Sequence, residues 1–424
     1  MRIRFDCLRI GCLSTILCMA SALVPIRLPA QPPERFWWNV QINGRPARLA
    51  LDTGSSGLIL WRSAADRLGL KLTYIGLASN NLVVPWVTGE FKLELPHWQR
   101  RWGFPVTGYG PASAGVSEAL GFFDDMDGVV GWPAISRRIT RFDAMDGKFK
   151  FLGKVPKEVK DWSKFTIQTN RRVLVLELPG GGGTRRGLFV DTGGLGEGGI
   201  ELSAPLWDQW MAAHSNERRG IGASFQVGGL VPYERTRASW FSIGGLTLTN
   251  VELHRVEEHD WPESKDCAAA IGFGVLKRFD FLVDGEHAVA YLQPSKRWKP
   301  FMAGPTNLTL LHGRLSAVFG PWRNQTNGLA AYVLSASPAF QAGIRNGDIL
   351  LKVDRQDVKQ WLDNPGKAWS CDREYFGFQL TYPSTNNPNG TVLELTLRRR
   401  DQVFQATVLQ SEIAVTVIAP RKTK

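Results

Sequence analysis

One sequence unit occurs twice in this chain, and that repeat is the strongest constraint on its fold. The stretch LALDTGSSG at 49–57 reappears as LFVDTGGLG at 188–196. Each Asp-Thr-Gly triplet follows an apolar run, and Asp52 in the first copy corresponds to Asp191 in the second. A second triplet alone could arise by chance, so the flanking sequence has to decide.

The match continues downstream of both triplets. GVVGW places Gly131 almost as far after the first aspartate as AAIGF places Gly272 after the second. TRFDAMDGKFKFL (140–152) then corresponds to KRFDFLVDGEHAVAYL (277–292), and their Arg-Phe-Asp motifs are separated by nearly the same offset as the aspartates. We therefore predict one unit of about 120 residues used twice, which is an ordinary domain size.

Each copy is predicted to consist mainly of strands. FWWNVQI and ARLALD flank Asn43-Gly44, a strong signal for a type I′ hairpin. Apolar residues alternate in FSIGGLTLTNVEL (241–253), and the 44 glycines and 24 prolines favour turns. Short helices are expected after each triplet, at 61–70 and 204–214.

The duplication changes the interpretation of the two aspartates. A single aspartate at a turn usually hydrogen-bonds its own backbone and has a structural role. Two copies packed about a pseudo-twofold axis bring counterparts together, and two adjacent carboxyl groups share one proton. One can then take a proton from water while the other donates to a carbonyl oxygen. The glycine permits close approach of the other copy, and the threonine hydroxyl can bond across the axis.

The double DTG, followed by VVG and AIG, resembles the aspartic proteases, and the RFD…DG…YL tail resembles their bacterial retropepsin-like branch. The resemblance covers roughly residues 35–294. It implies an acid protease fold of two pseudo-symmetric retropepsin-like β-barrel lobes, at 35–155 and 165–294. It also implies that Asp52 and Asp191 are the catalytic dyad.

The resemblance further implies which residues support the dyad. Cross-lobe and backbone support is assigned to the remaining triplet residues and one serine: Thr53, Gly54, Ser55, Thr192 and Gly193. Gly131 and Gly272 would support the active-site loops.

Two positions depart from the family pattern. A hydroxyl after the second glycine normally bonds the outer carboxylate oxygen; Ser55 fits this role, whereas Gly194 does not. Asp127 precedes the first apolar-apolar-Gly triplet as the family prefers, but Ala268–Ala270 occupies the second position.

A protease of this kind needs a flap that excludes water from the cleft. QVGGLVPYER (226–235) offers one, with Gly228 and Gly229 at its tip. YIGLASNNLVVPW (74–86) is a weaker second candidate. The alternative is that both segments are ordinary hairpins.

A third region follows a linker at 295–307. SPAFQAGIRNGDILLKVD (337–354) resembles the core of a protease-associated bacterial PDZ domain, so we predict a PDZ-like α+β domain at 308–412. Such a domain implies capture of a C-terminal peptide by strand addition. AVFG (317–320) is the candidate carboxylate-binding loop, and the alternative role is a structural cap. Residues 413–424 are predicted to be a basic tail.

The N-terminus is typical of an export signal. Three arginines precede an apolar run, and Ala-Ser-Ala ending at Ala22 fits a cleavage site. We predict a signal peptide at 1–22, a linker at 23–34, and a periplasmic or extracellular protein that is membrane-anchored only if the signal is retained. Cleavage would leave two of the five cysteines, Cys267 and Cys371, which disfavours a disulfide framework.

Other functional classes find little support. The net charge of +12 is scattered, so nucleic acid is not an expected partner. The six histidines lack metal-ligand spacing, FDDMDG (123–128) lacks the spacing of a calcium loop, and GGGGTRRG lacks the ending of a phosphate-binding loop. We expect neither metal nor cofactor.

The leading hypothesis is an exported aspartic endopeptidase that acts on peptides or proteins. A catalytically degenerate member of the same fold, serving as a binding module, is the second hypothesis. A sugar or acid kinase is the third, because VDTGG resembles a phosphate-binding turn; it would require alternating strands and long helices.

Overall fold

The computed structural model describes most of the chain from Arg35 onwards. The described residues are 35–42, 44–61, 64, 67–69, 73–78, 84–88, 91–95, 98–102, 105–109, 126–178, 186–194, 199–226, 229–256, 267–298, 315–320, 328–354, 356–360, 374–375, 378–381, 392–409 and 412–418. The predicted signal peptide and the linker at 23–34 lie outside them.

The chain is mainly β, as predicted. The strands up to residue 166 are β1 (Phe36–Ile42), β2 (Arg45–Asp52), β3 (Leu58–Trp61), β4 (Thr73–Ala78), β5 (Val84–Thr88), β6 (Phe91–Leu95), β7 (Trp98–Trp102), β8 (Pro105–Tyr109), β9 (Gly128–Gly131), β10 (Ile139–Asp143), β11 (Lys148–Leu152) and β12 (Ser163–Thr166). Single 3₁₀ turns span Trp132–Ala134 and Lys157–Asp161.

The remaining strands are β13 (Val175–Leu178), β14 (Arg186–Asp191), β15 (Gly199–Ser203), β16 (Arg219–Gln226), β17 (Gly229–Ile243), β18 (Leu246–Val256), β19 (Cys267–Gly272), β20 (Phe279–Asp284), β21 (Val289–Pro294), β22 (Ala317–Gly320), β23 (Leu329–Val333), β24 (Ile349–Val353), β25 (Gln356–Asp357), β26 (Glu374–Tyr375), β27 (Phe378–Thr381), β28 (Val392–Arg399), β29 (Gln402–Leu409) and β30 (Ile413–Ile418). The helices described are α1 (Ala204–Ala213), α2 (Phe273–Leu276) and α3 (Pro338–Gln341).

Each copy of the repeat contributes a sheet of its own. Within the described residues, the first-copy sheet has the order β4-β5-β8-β3-β9-β2-β1-β6-β7, and the second-copy sheet has the order β13-β14-β19-β15-β18-β17-β16. The predicted hairpin is confirmed, since β1 and β2 pair antiparallel around Gly44, whose φ of 75° lies in the left-handed region that favours glycine.

The predicted helix at 204–214 is confirmed by α1. Trp207 and Met211 lie one turn apart on this helix and are buried, which fixes the face that packs on the core. Within the helix predicted at 61–70, Trp61 instead ends β3, whereas the described residues Ala64 and Arg67 are helical. The N–H of Leu68 donates to the carbonyl of Ala64 at 2.8 Å, which is the spacing of an α-helical turn.

Strands from both copies combine in a third, shared sheet with the order β11-β10-β20-β21-β12. β10 contains the first Arg-Phe-Asp motif, and β20 begins at the phenylalanine of the second. The two strands pair antiparallel, with Ile139 opposite Asp284 and Phe142 opposite Phe281. Continued by one position, this register sets Asp143 opposite Asp280, the aspartates of the two motifs. Counterparts that face each other in this way are the arrangement a twofold axis generates.

The hydrophobic core also spans both copies. One cluster of buried residues extends from Phe36 to Leu292. Within it Phe36 contacts Phe273 with 4.8 Å between ring centroids, and Phe142 stacks on Phe281 at 4.9 Å. Such aromatic pairs contribute about 1 kcal/mol each beyond the area they bury. The two copies are therefore held together by side-chain packing as well as by the shared sheet.

A C-terminal sheet has its own core, with buried residues from Ala317 to Val415. Its order in the described residues is β26-β27-β30-β22-β23-β24-β28-β29, with β25 attached to β24. Strand, short helix, turn and strand follow in the predicted order, and Gly343 and Gly347 take positive φ values of 93° and 85°. Asp348 brackets the turn by accepting hydrogen bonds from Arg345 and Arg399.

The C-terminal sheet extends beyond the predicted boundary at residue 412. β30 lies inside it, parallel to β22 and antiparallel to β27, with Ile413 and Val415 buried. Residues 413–418 are thus a core strand rather than part of a basic tail. Ile413 and Val415 pack against the core, and this burial outweighs the positive charge that follows the strand in sequence.

Candidate active site

Asp52 and Asp191 occupy the last positions of β2 and β14. Each strand pairs in parallel with an apolar-apolar-Gly strand, which sets Asp52 opposite Gly131 and Asp191 opposite Gly272. The leucine or valine immediately before each aspartate is fully buried, so burial of the strand carries each carboxyl group to a defined position at its end.

Thr53 and Thr192 bind each other's loops through reciprocal hydrogen bonds. The backbone N–H of Thr53 donates to Oγ1 of Thr192 at 2.9 Å, and the N–H of Thr192 donates to Oγ1 of Thr53 at 3.1 Å. Each hydroxyl then donates to the other copy, to the carbonyl of Val190 at 2.5 Å and to that of Leu51 at 2.8 Å. Both threonines are fully buried, so these four bonds lock the two loops together.

Above this lock the two carboxyl groups share a hydrogen bond. Asp52 Oδ1 accepts the N–H of Gly54 at 2.8 Å, and Asp191 Oδ1 accepts the N–H groups of Gly193 and Gly194, each at 2.9 Å. Backbone donors therefore hold one oxygen of each carboxyl group, which orients both groups toward each other.

Burial of the pair raises the pKa of Asp52 well above its usual range, and the charge of Asp191 and the hydrogen bond to it raise that pKa further. Burial also raises the pKa of Asp191, but the hydrogen bond from Asp52 and the backbone N–H groups oppose the shift. Both pKa values are raised, so the two carboxyl groups hold one proton as a pair. Such a pair can accept one proton and donate another at the same place.

Gly54 and Gly193 allow each loop to approach the opposite aspartate. A Cβ atom on Gly54 would lie 2.7 Å from Cγ of Asp191, and one on Gly193 would lie 2.5 Å from Oδ2 of Asp52. Real Cβ atoms essentially never make contacts this short. The close approach of the two copies therefore requires the glycines of both triplets.

The predicted role of Ser55 differs in the structure. Its hydroxyl donates to the carbonyl of Gly57 at 3.2 Å, and it is the backbone N–H of Ser55 that bonds Asp52. The same Gly57 carbonyl accepts the N–H of Gly131 at 2.7 Å, so Ser55 tightens the loop around the neighbouring strand. On the other side, the N–H of Gly194 supplies Asp191 with a hydrogen bond that the sequence did not reveal.

The residues that follow Gly131 and Gly272 make equivalent backbone hydrogen bonds to the two aspartate-bearing loops. Trp132, after Gly131, donates its N–H to the carbonyl of Ser55 at 3.0 Å, and Phe273, after Gly272, donates to the carbonyl of Gly194 at 3.2 Å. A Cβ atom on Gly131 would collide with the carbonyl oxygens of the first loop. Gly131 therefore lets its strand pass directly beneath the loop that carries Asp52.

Both segments considered as flaps form antiparallel hairpins. β16 pairs with β17 as far as Gln226 opposite Gly229, so Gly229 begins β17 and Gly228 lies outside the described residues. β4 pairs with β5 as far as Ala78 opposite Val84.

The sequence analysis did not identify the carbonyls of Leu51 and Val190, which accept hydrogen bonds from the two threonine hydroxyls. The repeat itself held the signal, because these residues are related by the same offset as the aspartates that follow them. Elsewhere in the described chain, no group of three or more His, Cys, Asp and Glu side chains could hold a metal ion. Nor does any helix among those residues have the length and apolar character needed to cross a membrane.

Comparison with known proteins agrees with the resemblance to aspartic proteases seen in the sequence. A family model described as Aspartyl protease matches residues 38–82, a segment that contains the first DTG triplet and Ser55. The chain is therefore similar to an aspartyl protease-like family over this part. No curated protein matches the chain.

Proposed function

We propose that this protein is an aspartic endopeptidase that hydrolyses peptide bonds with Asp52 and Asp191 as its dyad. The observation that supports it best is the hydrogen-bonded pair of carboxyl groups with raised pKa values, supported by the same contacts from both copies. The Aspartyl protease match over residues 38–82 agrees with this activity. The proposed fold is two pseudo-symmetric lobes at 35–155 and 165–294.

The mechanism uses one water molecule and the shared proton. Ionised Asp191 takes a proton from the water while the water oxygen attacks the carbonyl carbon of the scissile bond. Protonated Asp52 donates its proton to the carbonyl oxygen. The tetrahedral intermediate then returns the hydroxyl proton to Asp52, the amine leaves with the proton held by Asp191, and the initial state is restored. This cycle needs no metal, cofactor or covalent intermediate.

The remaining parts of the proposal concern location and recognition. We assign export to the N-terminal signal at 1–22, which leads to the periplasm or the cell exterior, with membrane anchoring only if the signal is retained. We assign a PDZ-like role, binding of a C-terminal peptide, to the C-terminal sheet. The order of β23, α3 and β24 around the Gly343 turn supports this assignment.

The dyad is tested with Asp52→Asn and Asp191→Asn on a mixed peptide library across pH. Each variant should lose peptide cleavage, because either change removes one of the two proton-transfer groups while leaving a side chain of nearly equal size. The matched control is Asp280→Asn, since Asp280 hydrogen-bonds Ser295 and Gln293 in the shared sheet, outside the pair. Full activity in either dyad variant would refute the proposal.

A degenerate binding protein with the same fold is the second candidate. It is favoured by Gly194, which leaves Asp191 without the hydroxyl that the family usually supplies. A pepstatin-like transition-state mimic separates the two candidates, since a dyad arranged for catalysis binds it tightly and a collapsed cleft does not. The kinase hypothesis is disfavoured, because in the described residues the longest helix is α1, with ten residues.

A further inference from the structure

A small apolar cluster connects the second-copy sheet to the C-terminal sheet. Ile221 of β16 is fully buried there, packed with the buried residues Leu315, Val318, Ala330 and Leu334. Tyr332 and Ile349 are partly buried against the same cluster. We refer to these seven residues as the docking cluster.

A backbone hydrogen bond accompanies this packing. β16 is the last strand of the second-copy sheet in the described residues, and the N–H of Ile221 donates to the carbonyl of Leu315 at 3.1 Å. An edge strand presents unpaired backbone groups, so Leu315 satisfies one that would otherwise need water. The next residue, Ser316, donates its N–H to Glu412 at 2.7 Å, which ties this junction to the C-terminal sheet.

The buried residues of β22 and β23 alternate between two apolar clusters on opposite faces of the C-terminal sheet. Ala317 and Phe319 face the core of the C-terminal sheet, whereas Val318 between them faces the docking cluster. In β23, Leu329, Ala331 and Val333 face that core, and the alternating Ala330 and Tyr332 face the cluster. Alternate residues point to opposite faces of a strand, so both faces are apolar here. Ile221 of the second-copy sheet, together with Leu315 and Leu334, covers the second of these faces.

The position of Ile221 gives this contact a consequence for the cleft. β16 pairs with β17 from Arg219 opposite Thr236 to Gln226 opposite Gly229, so Ile221 lies near the base of the hairpin. The stretch of β16 from Ile221 to Gln226 is about 17 Å long at the usual rise of a strand. The docking cluster therefore holds the hairpin near its base, at the opposite end of the pairing from Gln226 and Gly229.

We propose that the C-terminal sheet positions the β16–β17 hairpin for substrate binding, through contact of Val318 and its neighbours with Ile221. The inference rests on the proposed function and on the sequence-based hypothesis that this hairpin is the flap over the bound peptide. Val318 and Ile221 are positioning residues and touch neither substrate nor dyad in this account. Loosening the base would let the flap adopt more orientations, which weakens binding of the extended peptide.

A matched pair of variants tests the proposal. Val318→Ala removes two methyl groups from the docking cluster, and Val353→Ala removes the same groups from the core of the C-terminal sheet; both valines are 1% exposed. With full-length protein, Val318→Ala should raise KM for a peptide roughly tenfold. Val353→Ala should leave KM unchanged at a temperature where thermal unfolding shows both variants to be folded. The pH profile of kcat/KM should stay at its wild-type position, because the dyad is not altered.

Ile221→Ala provides the second arm. Its effect on KM should match that of Val318→Ala, and the double variant should show less than the product of the two single effects, since both act on one contact. Hydrogen exchange supplies a readout independent of activity: amides of 219–243 should exchange faster in Val318→Ala than in Val353→Ala. Equal KM values and equal exchange in the two valine variants would overturn the positioning role.

The outcomes also separate this inference from the proposed function. If wild-type protein cleaves no peptide and yet the hairpin exchanges faster only in Val318→Ala, the peptidase proposal fails and the mechanical link stands. If wild-type protein cleaves, the dyad variants do not, and Val318→Ala behaves like Val353→Ala, only the positioning role fails.

Discussion

An alanine at position 193 would place a methyl group 2.5 Å from Oδ2 of Asp52. Ordinary van der Waals contact begins at 3.4 Å, so the carboxyl group must withdraw by about 1 Å. Because that group is the end of a side chain, it can move without disturbing the backbone, and the fold should survive with a cost of about 1–3 kcal/mol. The hydrogen bond to Asp191 should not survive.

We therefore expect Gly193→Ala to remain folded and to lose about 100-fold or more in kcat/KM, since a displacement of about 1 Å at a reacting group has an effect of that size. Peptide cleavage measured beside thermal unfolding separates the two effects. Gly57→Ala is the matched control, because a Cβ atom there meets no atom within 4 Å. Wild-type kcat/KM in Gly193→Ala would refute the argument that close approach of the loops positions Asp52.

Three further predictions concern stability. Thr192→Val should lower the free energy of unfolding in urea by about 2–4 kcal/mol, because two buried hydrogen bonds are lost, whereas Thr192→Ser keeps the hydroxyl and most of the stability. The raised pKa of Asp52 means that the folded state holds its proton more tightly than the unfolded state, so stability should fall as pH rises from about 3.9 to that raised pKa. Asp52→Asn should reduce this slope in thermal unfolding to the part that Asp191, whose pKa burial also raises, contributes, and should be more stable than wild type at higher pH. Burial raises the pKa of Glu252, but hydrogen bonds and charge from His254 and Arg235 outweigh it and lower that pKa to about 2. The pH dependence of stability that Glu252 contributes should therefore be opposite in sign to that of Asp52. The contribution of Glu252 is complete above about 4.3 and lost as pH falls to about 2, so Glu252→Gln should lower stability at pH 7 by about 2 kcal/mol.

Each of the three has a result that would contradict it. Equal urea midpoints for Thr192→Val and Thr192→Ser would show that the hydroxyl contributes nothing. A pH slope of wild-type size in Asp52→Asn would assign the proton to another group. Unchanged stability of Glu252→Gln at pH 7 would show that water replaces the ion pairs of Glu252 at no cost.

The sequence predicted the meeting of Asp52 and Asp191 because the repeat carried the necessary information. Counterparts near a twofold axis must meet, and a constant offset identifies them before any coordinates exist. The β1–β2 hairpin and α1 were also accessible, since Asn-Gly and the spacing of Trp207 and Met211 are local signals.

Features that depend on distant partners were not accessible. β30 pairs with β22, which lies about 100 residues earlier in the chain. The sequence around Ile413 does not predict which strand it pairs with. The hydroxyl of Ser55 has a choice of acceptors, and only the position of the Gly57 carbonyl decides it. The sequence suggested a carboxylate-binding loop at Ala317–Gly320, whereas these residues form the buried strand β22. Their local sequence does not reveal which elements cover its two faces.

The antiparallel pairing of β10 with β20 indicates how this chain could have arisen from a single copy of the repeat. A polypeptide with one copy of the repeat would expose β10 as an edge complementary to itself, and two such chains would close into a C₂ homodimer through the same pairing. In the two-lobed fold proposed above, the chain corresponds to that dimer with its subunits fused through residues 153–162, between β11 and β12. Halves produced by cutting this connection retain the complementary edges and the aromatic contacts, and should therefore reassemble when mixed.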